Sequence, residues 1–575
     1  MRYHALATDY DGTLAHHGRV DDVTWAAAKK LRDSGRKLIL VTGRELDELL
    51  ALLPDPTVFD RIVAENGALV YDPATKEVTT IAPGPPADFV AELAKRGVER
   101  IAVGRVIVAT WEPHQDTVLA TIRDMGLELQ VIFNKGAVMI LPSGVNKATG
   151  LALALTALGL SPHNVVAVGD AENDHALLAS VECGVAVASS LPSLIKAADF
   201  VTTADHGAGV AELIEHLLTD DLAAVASRLK RHAVLLGKTP EGKTVEIDPY
   251  SANIMVCGTS GSGKSTLTTG LLERLEAAKY QFAILDPEGD FTTTDLATVL
   301  GAPNRAPLVS ETLDVLESGQ NVAANLLGVA VDHRPEVFAE LVPALVDLRV
   351  RTGRPHWLII DEAHHLLPAA WSTADLPVRA HGTLYITVHP GSVDKHVVET
   401  INTIIAVGEH PEHTIREFCE VLGRAMPQVD PVDKLAPGTC VYWRLDGEPM
   451  LVITEKAKGE RTRHSRKYSE GNLGKDRSFV FRGPDGKLSL RAPNLHLFLH
   501  LADGVDDDTW MFHLGTHDYS TWLRTEVKDV SLADEVAAIE NDSSLSPRDS
   551  RAAIRVAVDK RYTLPSDKAS GLIDA

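Results

Sequence analysis

The chain has 575 residues, of which 79 are acidic and 56 are basic, so its formal net charge is −23 at pH 7. This length exceeds what one hydrophobic core organises and predicts two to four domains. No run reaches the roughly 18 apolar residues that span a bilayer, and the acidic balance argues against a generally basic nucleic-acid-binding surface. Four isolated cysteines favour reduced structural thiols over a disulfide framework or a thiolate metal site. We therefore expect a cytoplasmic protein without a membrane segment.

Up to about residue 212, short apolar runs such as "RKLILVTG" and "NVVAVGD" alternate with amphipathic stretches such as "DDVTWAAAKKLRDSG". Strands that alternate with helices predict a parallel sheet covered on both faces, with reactive residues at its carboxyl edge. Residues 83–140 interrupt this alternation with helices and strands of their own. We interpret this stretch as an inserted cap.

The first chemical motif, "LATDYDGTL", places Asp9 and Asp11 two residues apart, just after an apolar strand. Two carboxylates this close need a cation or a shared proton, and a divalent metal is the natural solution. Three further elements, "VTGR", "GVNKATG" and "VGDAENDHALL", follow in order after strands or at helix starts. Together they supply a carboxylate nucleophile, a second acid/base carboxylate, a hydroxyl, an ammonium and oxygen ligands for Mg²⁺. The residues of these three elements are Thr42, Arg44, Lys147, Asp170, Asn173 and Asp174.

These elements, with "ENGA" at 65–68 and the cap after it, resemble the haloacid dehalogenase superfamily of phosphatases over residues 1–212. The nearest subgroup, subclass IIB, includes sugar-phosphate and phosphoglycolate phosphatases. The resemblance implies that Asp9 attacks phosphorus to give an aspartyl-phosphate, while Asp11 protonates the leaving oxygen and then activates water. It further implies two residues that hold the phosphoryl group, Thr42 and Lys147, and a Mg²⁺ set of Asp9, Asp11 through its backbone carbonyl, Asp170 and Asp174.

Other residues of this region are weaker candidates for the substrate site. Those near the predicted phosphate site are Gly43, Arg44, Asn66 and Asn173, and loop stabilisation is the alternative role for the last three. In the cap, which covers the leaving group in this family, the polar or aromatic candidates are Trp111, Glu112, His114 and Asn134. Packing is the favoured role for Trp111.

A second motif, "GTSGSGKST", matches Gly-x-x-x-x-Gly-Lys-Ser between an apolar strand, "ANIMVCG", and a helix, "LTTGLLERLEAAK". Glycines let backbone amides face phosphates, Lys264 reaches the β and γ groups, and Ser265 ligates Mg²⁺. The strand in "HWLIIDEAHHLLP" then ends in Asp361, which organises Mg²⁺, and Glu362, which polarises the attacking water. The predicted ATP-binding residues are Gly258, Thr259, Ser260, Gly261, Ser262, Gly263, Lys264, Ser265, Thr266 and Asp361.

The region 234–453 resembles the HerA and FtsK branch of ring-forming P-loop ATPases. The hairpin-like "GKTPEGKTVEID", "AILDPEGDF" and "DEAHHLLP" carry this resemblance. Where that branch often has a glutamine sensor, "LYITVHP" offers Thr387 and His389, and a plain loop histidine is the alternative for the latter. An arginine finger would come from a neighbouring subunit, with Arg379 and Arg424 as candidates.

Beyond the second block, "KAKGERTRHSRK" at 456–467 is either a solvated basic linker or a local nucleic-acid channel. The last hundred residues have helical spacing and predict a mostly α tail. Within it, His513 and His517 lie among two tryptophans, Trp510 and Trp522, and packing is favoured over metal binding. We expect this tail to serve docking or assembly.

The sequence thus predicts an α/β chain: a Rossmann-like phosphatase core with a small α+β cap, a RecA-like P-loop ATPase domain and a mostly α C-terminal domain. The predicted limits are 1–215 with its cap at about 83–140, 216–455, a basic linker at 456–469, and 470–575. The leading hypothesis is a Mg²⁺-dependent phosphatase of a phosphorylated small molecule that an ATP-hydrolysing domain regulates, assembles or powers. The alternatives are a DNA- or RNA-translocating ATPase with a nucleic-acid-end or nucleotide phosphatase, perhaps for defence, and a nucleotide-gated scaffold. We expect Mg²⁺ and ATP as cofactors and a homo-oligomer, with a hexamer as the candidate.

Overall fold

A computed structural model gives the structure of the chain. It describes residues 1–228, 231–259, 261–292, 294–302, 304–374, 376, 381–458, 473, 477–484, 486, 488–527 and 529–562. The chain forms two compact units. The first unit contains Met1–Lys264, Arg274–Glu288 and Leu300–Thr454, and the second contains Ser265–Glu273, Gly289–Val299 and Glu455–Ala575.

The N-terminal part of the first unit contains twelve strands in two sheets. They are β1 (Ala5–Thr8), β2 (Lys37–Val41), β3 (Arg61–Ala64), β4 (Leu69–Tyr71), β5 (Val78–Thr80), β6 (Ala102–Val103), β7 (Val108–Trp111), β8 (Leu129–Asn134), β9 (Ala137–Pro142), β10 (Val165–Gly169), β11 (Cys183–Ala186) and β12 (Phe200–Val201). The larger sheet has the order β12-β11-β10-β1-β2-β3-β4-β5, and the smaller has the order β6-β7-β9-β8. Strands β10, β1, β2 and β3 pair in parallel, so the predicted parallel core is confirmed.

Eight α-helices accompany these sheets. They are α1 (Asp22–Asp33), α2 (Leu46–Leu52), α3 (Ala87–Lys95), α4 (Gln115–Asp124), α5 (Lys147–Leu158), α6 (His175–Ala179), α7 (Pro192–Ala197) and α8 (His206–Asp220). Two apolar clusters enclose the larger sheet, and a separate one joins α3 and α4 to the smaller sheet. The smaller sheet therefore has its own core, as expected of an inserted cap. Helix α5 begins at a capping box in which Asn146 and Thr149 satisfy each other's backbone amides.

The region from 234 to 454 is built on one sheet of eleven strands. They are β13 (Val234–Lys238), β14 (Thr244–Ile247), β15 (Asn253–Cys257), β16 (Phe282–Asp286), β17 (Thr298–Leu300), β18 (Val322–Asn325), β19 (Trp357–Ile360), β20 (Thr383–Thr387), β21 (Thr403–Ala406), β22 (Thr439–Arg444) and β23 (Met450–Thr454). Their order is β14-β13-β23-β22-β21-β15-β20-β19-β16-β18-β17. The predicted hairpin before the glycine-rich loop is the antiparallel pair β13 and β14.

Six α-helices belong to this region: α9 (Lys264–Ala277), α10 (Val309–Glu317), α11 (Arg334–Thr352), α12 (Ala363–Leu366), α13 (Lys395–Val398) and α14 (Pro411–Leu422). Strands β15, β16, β18, β19, β20 and β21 are buried along their whole length, and β15 pairs in parallel with both β20 and β21. Their nearly continuous apolar sequences follow from burial on both faces. Residues that follow these strands therefore meet at one edge of the sheet.

The C-terminal region forms a separate core. Among the residues that the structure describes here, it contains a small hairpin of β24 (Phe479–Phe481) and β25 (Leu490–Ala492), and five helices: α15 (Leu495–Gly504), α16 (Asp507–Gly515), α17 (Asp518–Thr525), α18 (Val530–Glu540) and α19 (Pro547–Tyr562). The prediction of a mostly helical tail is confirmed. Trp510 is fully buried and donates to Ser550, while both ring nitrogens of His513 are engaged, by Asp518 and by the backbone N–H of Arg482. This arrangement agrees with packing as the role of His513.

Among the helices that the structure describes, none combines the length and hydropathy needed to cross a membrane.

Candidate active sites

The first candidate site lies at the carboxyl edge of the larger N-terminal sheet, where β1 runs between β10 and β2. Asp9 follows β1, Thr42 follows β2 and Asp170 follows β10. The strand order changes direction at β1, because β2 lies on one side of it and β10 on the other. At such a point of a parallel sheet, a crevice opens at the carboxyl ends of the strands. The order of the strands therefore brings together residues that are far apart in the sequence.

A buried ammonium group organises the acidic residues of this site. Lys147 Nζ donates to Asp9 Oδ1 at 2.5 Å and to Asp174 Oδ1 at 2.6 Å, and all three residues are at least 96% buried. Burial raises the pKa of the Asp9 carboxyl, an effect that the Lys147 charge opposes. Burial would lower the pKa of Lys147, but the charges of Asp174 and Asp9 raise it. Lys147 is therefore a fixed positive charge beside the predicted nucleophile.

Asp11, the predicted acid/base residue, is held by a bidentate contact with Arg44. Arg44 Nε lies 2.6 Å from Asp11 Oδ2, and Nη2 lies 2.8 Å from Asp11 Oδ1. The hydrogen bonds to Asp11 raise the pKa of Arg44. Arg44 was predicted to bind phosphate or to stabilise a loop, and in this structure its contacts orient Asp11.

Oxygen atoms of this site fit a divalent cation. One carboxylate oxygen each from Asp9, Asp170 and Asp174 lies within 4.8 Å of the others. A Cβ at Gly12 would stand 2.4 Å from Asp170 Oδ2, so the glycine leaves room beside this carboxylate. A positive group already lies there: Lys135 Nζ is 2.7 Å from Asp170 Oδ2 and 3.4 Å from the Asp11 carbonyl oxygen. Hard oxygen ligands with this negative charge are those that Mg²⁺ prefers.

Lys135 was missed by sequence reasoning. It lies in the turn between β8 and β9, in the cap, with a φ of 49°. No motif identifies it, and only the pairing of β8 with β9 places a lysine at the tip of a hairpin. Of the cap candidates named from sequence, Asn134 directly precedes Lys135, and Trp111, which is half exposed, lies on β7, the strand that pairs with β9.

The secondary substrate candidates form a cluster beside the acidic residues. Asn173 Nδ2 donates to Asn66 Oδ1 at 2.9 Å, and a Cβ at Gly43 would lie 3.7 Å from the same Asn173 nitrogen. Asn66 Nδ2 and Asn173 Oδ1 are buried and have no hydrogen-bond partner among the described residues. Buried amide atoms without partners are costly, so a ligand that pairs with them would bind favourably here.

Glu65 anchors the cap to the core and was also missed as a functional residue. It is 1% exposed and accepts three backbone N–H groups from the cap: Arg105 at 2.9 Å, Val106 at 2.7 Å and Ile107 at 2.9 Å. The "ENGA" motif made Asn66 a substrate candidate. The role of Glu65 could not be predicted from the sequence around it, because its partners lie about forty residues away. The same short turn thus holds both the cap and the site.

The second candidate site is the loop between β15 and α9. Gly261 and Gly263 have φ values of 79° and 99°, which residues with a Cβ rarely adopt. Lys264 Nζ donates to the carbonyl oxygens of Gly258 at 2.8 Å and Thr259 at 3.3 Å. Gly408, just after β21, packs on the loop, because a Cβ there would stand 2.4 Å from that of Ser262. Ser265 and Thr266 lie in the first turn of α9, and Ser260 lies outside the described residues.

The predicted acidic pair follows β19, and a histidine lies between it and the next strand. Asp361 is buried, and Glu362 adopts a φ of 40°. His364 Nδ1 lies 3.2 Å from Thr387 Oγ1, at the end of β20, and 3.5 Å from a Glu362 oxygen. Burial, together with the charges of His365, Lys264 and His389, lowers the pKa of His364 to about 4, so it is neutral at pH 7. Sequence reasoning missed His364.

The remaining sequence candidates lie elsewhere. His389 is exposed and pairs with Glu417 at 3.3 Å. Arg424 donates to the Leu445 carbonyl and lies over the Trp443 ring. Arg379 lies outside the described residues. The basic segment 456–467 also lies outside them from residue 459 onward.

Comparison with family models identifies both regions. Residues 6–104 and 122–214 match the model described as haloacid dehalogenase-like hydrolase, and residues 249–382 match an AAA domain. The first match covers the sheet that carries Asp9 and Asp170. The second covers the glycine-rich loop and the acidic pair after β19.

Relatives of the N-terminal region are phosphatases by name. A phosphoglycolate phosphatase of Methanothermobacter thermautotrophicus is 30% identical over 230 residues, covering 37% of this chain and 98% of the relative. That of Natronomonas pharaonis is 31% identical over 223 residues, covering 36% of this chain and 96% of the relative. A solved haloacid dehalogenase-like hydrolase of Bacteroides thetaiotaomicron is 20% identical, with a TM-score of 0.34, and the similarity covers 37% of this chain and 99% of that one.

The fold is a Rossmann-like core with the first candidate site at its carboxyl edge. The chain belongs to the haloacid dehalogenase-like hydrolases. It joins this enzyme core to a P-loop domain of the AAA type.

Because Glu65 holds the cap through three backbone hydrogen bonds, we expect the attachment of the cap to weaken when one carboxylate oxygen is replaced. In Glu65→Gln, the amide nitrogen faces backbone donors, and an unsatisfied buried donor costs about 1–3 kcal/mol. We expect a lower melting temperature and faster amide exchange at 105–107, measured by hydrogen exchange with mass spectrometry. Glu77→Gln, an exposed control, should leave both quantities unchanged. Unaltered exchange at 105–107 in Glu65→Gln would refute the anchoring role.

Proposed function

We propose that the N-terminal domain is a Mg²⁺-dependent phosphatase that hydrolyses a phosphate monoester through an aspartyl-phosphate. One observation carries this proposal: the buried Asp9 carboxylate is bound to Lys147 Nζ at 2.5 Å and lies beside the carboxylates of Asp170 and Asp174. A carboxylate nucleophile needs positive charge around it to approach an anionic phosphoryl group, and this cluster can supply that charge. The family of the relatives supports the same reaction class.

In the first half-reaction, an Asp9 carboxylate oxygen attacks phosphorus while the bond from phosphorus to the leaving oxygen breaks. Asp11 in its acid form, with one oxygen on Arg44 and the other released from Arg44 to carry the proton, gives that proton to the leaving oxygen. Lys147 and Thr42 hold phosphoryl oxygens. Mg²⁺, held by Asp9, the Asp11 carbonyl and Asp170 with Asp174 in support, would offset the negative charge of the phosphoryl group.

In the second half-reaction, water attacks the phosphorus of the aspartyl-phosphate, and Asp11 accepts the proton that the water loses. The bond between phosphorus and the Asp9 oxygen breaks, which restores the Asp9 carboxylate and releases inorganic phosphate. The proton that Asp11 gives in the first step is thus regained in the second.

The nucleophile assignment predicts that Asp9→Asn loses phosphatase activity by at least about 10³-fold, since an amide is not a nucleophile. The measurement is release of p-nitrophenolate from p-nitrophenyl phosphate with Mg²⁺. The same preparation should hydrolyse ATP at the wild-type rate, which shows that the chain is folded. Asp116→Asn, in an exposed position of the cap, is the matched control. Wild-type phosphatase activity in Asp9→Asn would rule out this nucleophile.

We infer that the substrate is a small phosphate monoester that carries a carboxylate. The cap ammonium of Lys135 reaches the site and lies 2.7 Å from Asp170 Oδ2. Mg²⁺ held by Asp170 and the Asp11 carbonyl would displace it from these oxygens, so that it could meet a second anionic group of a substrate beside the metal. The phosphoglycolate phosphatases among the relatives support this class of substrate. Sugar phosphates, which lack the carboxylate, are the alternative.

Lys135 therefore predicts substrate preference. In Lys135→Met, we expect kcat/KM for phosphoglycolate to fall by about tenfold or more, since a charge-assisted hydrogen bond contributes about 1.5–3 kcal/mol. The value for p-nitrophenyl phosphate, which has no carboxylate, should change by less than about threefold. Lys95→Met, in an exposed position of α3, is the control. An equal loss for both substrates would contradict a role in carboxylate recognition.

We further propose that the P-loop domain binds ATP with Mg²⁺ and hydrolyses it. Lys264 and the loop amides would hold the phosphates, Ser265 and Asp361 the Mg²⁺, and Glu362 would activate water. Thr387 and the neutral His364 would sense the γ-phosphate, a role supported by their contact at 3.2 Å and the position of His364 beside Glu362. The hairpin of β13 and β14 supports membership of the HerA and FtsK branch.

That branch includes motors that move nucleic acids as rings, so a homo-oligomer acting on DNA is the second candidate function. A nucleotide-gated scaffold is the third.

Glu362→Gln distinguishes hydrolysis from binding: we expect ATP turnover to fall by about 10²-fold or more while a fluorescent ATP analogue binds as before. Glu288→Gln is the matched control. Retained turnover would remove Glu362 from the mechanism, and duplex DNA that fails to stimulate wild-type turnover at low salt would count against a motor.

A further inference from the structure

The first compact unit contains a buried polar junction that none of the proposed catalytic steps uses. It joins the amino-terminal edge of the phosphatase sheet to the amino-terminal edge of the P-loop sheet. On the phosphatase side the residues are Arg2 before β1, His163 and Asn164 before β10, and Glu182 before β11. On the P-loop side they are Tyr250 before β15, Ala278, Tyr280 and Gln281 before β16, and His356 before β19.

A charged group lies at the centre of this junction. His163 Nδ1 lies 2.7 Å from Glu182 Oε2, and its Nε2 lies 2.7 Å from the Ala278 carbonyl oxygen. Burial would raise the pKa of Glu182, but the His163 hydrogen bond and the Arg2 charge hold it below its usual range. Because a carboxylate and a carbonyl are both acceptors, both ring nitrogens of His163 donate. One N–H of His163 thus donates to Glu182 in the phosphatase core, and the other donates to the Ala278 carbonyl of the P-loop domain.

The aromatic residues of the P-loop domain cover this charged group. The Tyr280 ring stacks on His163 at a centroid distance of 3.8 Å, and its hydroxyl donates to Glu182 at 3.2 Å. The Tyr250 ring lies 3.8 Å from the Arg2 guanidinium carbon. Cation–π contacts of this kind are strongest when water is excluded. If the two domains separated, the stacked ring and the cation–π contact would be lost together.

Hydrogen bonds across the junction are reciprocal. Asn164 Nδ2 donates to the Tyr250 hydroxyl at 2.7 Å, and that hydroxyl donates to the His163 carbonyl at 3.0 Å. His356 Nδ1 accepts the Gln281 N–H at 2.8 Å, which leaves Nε2 to donate to Asn164 Oδ1 at 3.3 Å. Burial lowers the pKa of His356 far enough to keep it neutral, in agreement with this pattern. Asn164, which is 1% exposed, therefore binds partners in the other domain through both atoms of its amide.

The two proposed active sites lie at the opposite ends of the strands that meet here. Strands β1 and β10 run from the junction to Asp9 and Asp170, while β15 and β19 run to the P-loop and Asp361. Strands of four or five residues rise by about 3.3 Å per residue, so each site lies roughly 15 Å from the junction on opposite sides.

We propose that this junction makes the phosphatase core and the P-loop domain one cooperative unit, so that a nucleotide bound at the P-loop stabilises the phosphatase core. The proposal rests on the proposed function only in that the P-loop binds ATP. If unfolding of the two domains is shared, a ligand of one domain stabilises both. Ligand at about 100 times its Kd then lowers the unfolded population of the phosphatase core by up to about a hundredfold.

Hydrogen exchange of the full chain tests this proposal. In Glu362→Gln, saturating ATP with Mg²⁺ should slow amide exchange in the P-loop and also in β1 and β10. In the same background, Tyr250→Phe with Asn164→Ala should keep the slowing at the P-loop and lose most of it in β1 and β10. Tyr442→Phe, which removes a phenol of β22 in the same sheet, should behave as the parent. Slowing confined to the P-loop in the parent, or retained in β1 and β10 of the junction variant, would overturn the proposal.

A nucleotide-free measurement separates this proposal from the proposed function. If ATP slows amide exchange in no part of the chain, ATP binding at the P-loop is refuted. The junction is then tested by comparing amide exchange of the parent and of the double variant without nucleotide. The double variant should then raise exchange on both sides of the junction, in β10 and in β16, by a similar factor. A rise on one side alone would overturn the cooperative unit.

Discussion

The phosphatase site depends on one buried positive charge. Lys147 Nζ lies between Asp9 and Asp174, and its residue is 1% exposed. Three carboxylates meet at this edge of the sheet, and without an ammonium their mutual repulsion and burial would oppose the fold. Breaking a buried ion pair on one side costs about 3–5 kcal/mol, so the charge that would hold phosphate also holds the site together.

Two glycines make so close an approach of acidic groups possible. A Cβ at Gly12 would stand 2.4 Å from Asp170 Oδ2, and one at Gly169 would stand 2.5 Å from the Asp174 carboxyl carbon. Asp174 in turn accepts the backbone N–H groups of Asp170 and Ala171, each at 3.0 Å. The positions of the carboxylates are therefore set mainly by the backbone and by Lys147, and Lys135 of the cap adds a contact with Asp170.

Most of the fold, and the meeting of the central motif residues at one edge, could be predicted from the sequence because each motif follows an apolar strand of a parallel sheet. Strand order then brings Asp9, Thr42 and Asp170 to one edge, as the rule for such sheets requires. Lys135 and His364 could not be predicted in this way, since their contacts depend on a hairpin tip and on a neighbouring strand end.

The domain junction was beyond sequence reasoning for the same reason. Its members, such as His163 and Tyr280, are single polar residues before strands, and nothing local marks them as partners of residues 86 or more positions away. A buried histidine before a strand is consistent with ordinary packing until the other sheet is placed. The limits predicted for the domains stay predictions, because the phosphatase core and the P-loop sheet share one compact unit.

The energetics of the two proposed reactions constrain how they can be related. Hydrolysis of a phosphate monoester is downhill, and the aspartyl-phosphate route uses only the substrate and water, so ATP has no chemical part in it. The free energy of ATP hydrolysis in the P-loop domain must then act on conformation, assembly or a bound polymer. Because the sites lie at opposite ends of two joined sheets, the strands and the junction between them offer a direct route for an effect of nucleotide on the phosphatase rate. Coupling through rigid elements acts on conformational populations and on stability. We therefore expect nucleotide to change the stability of the phosphatase core at lower occupancy than it changes the phosphatase rate.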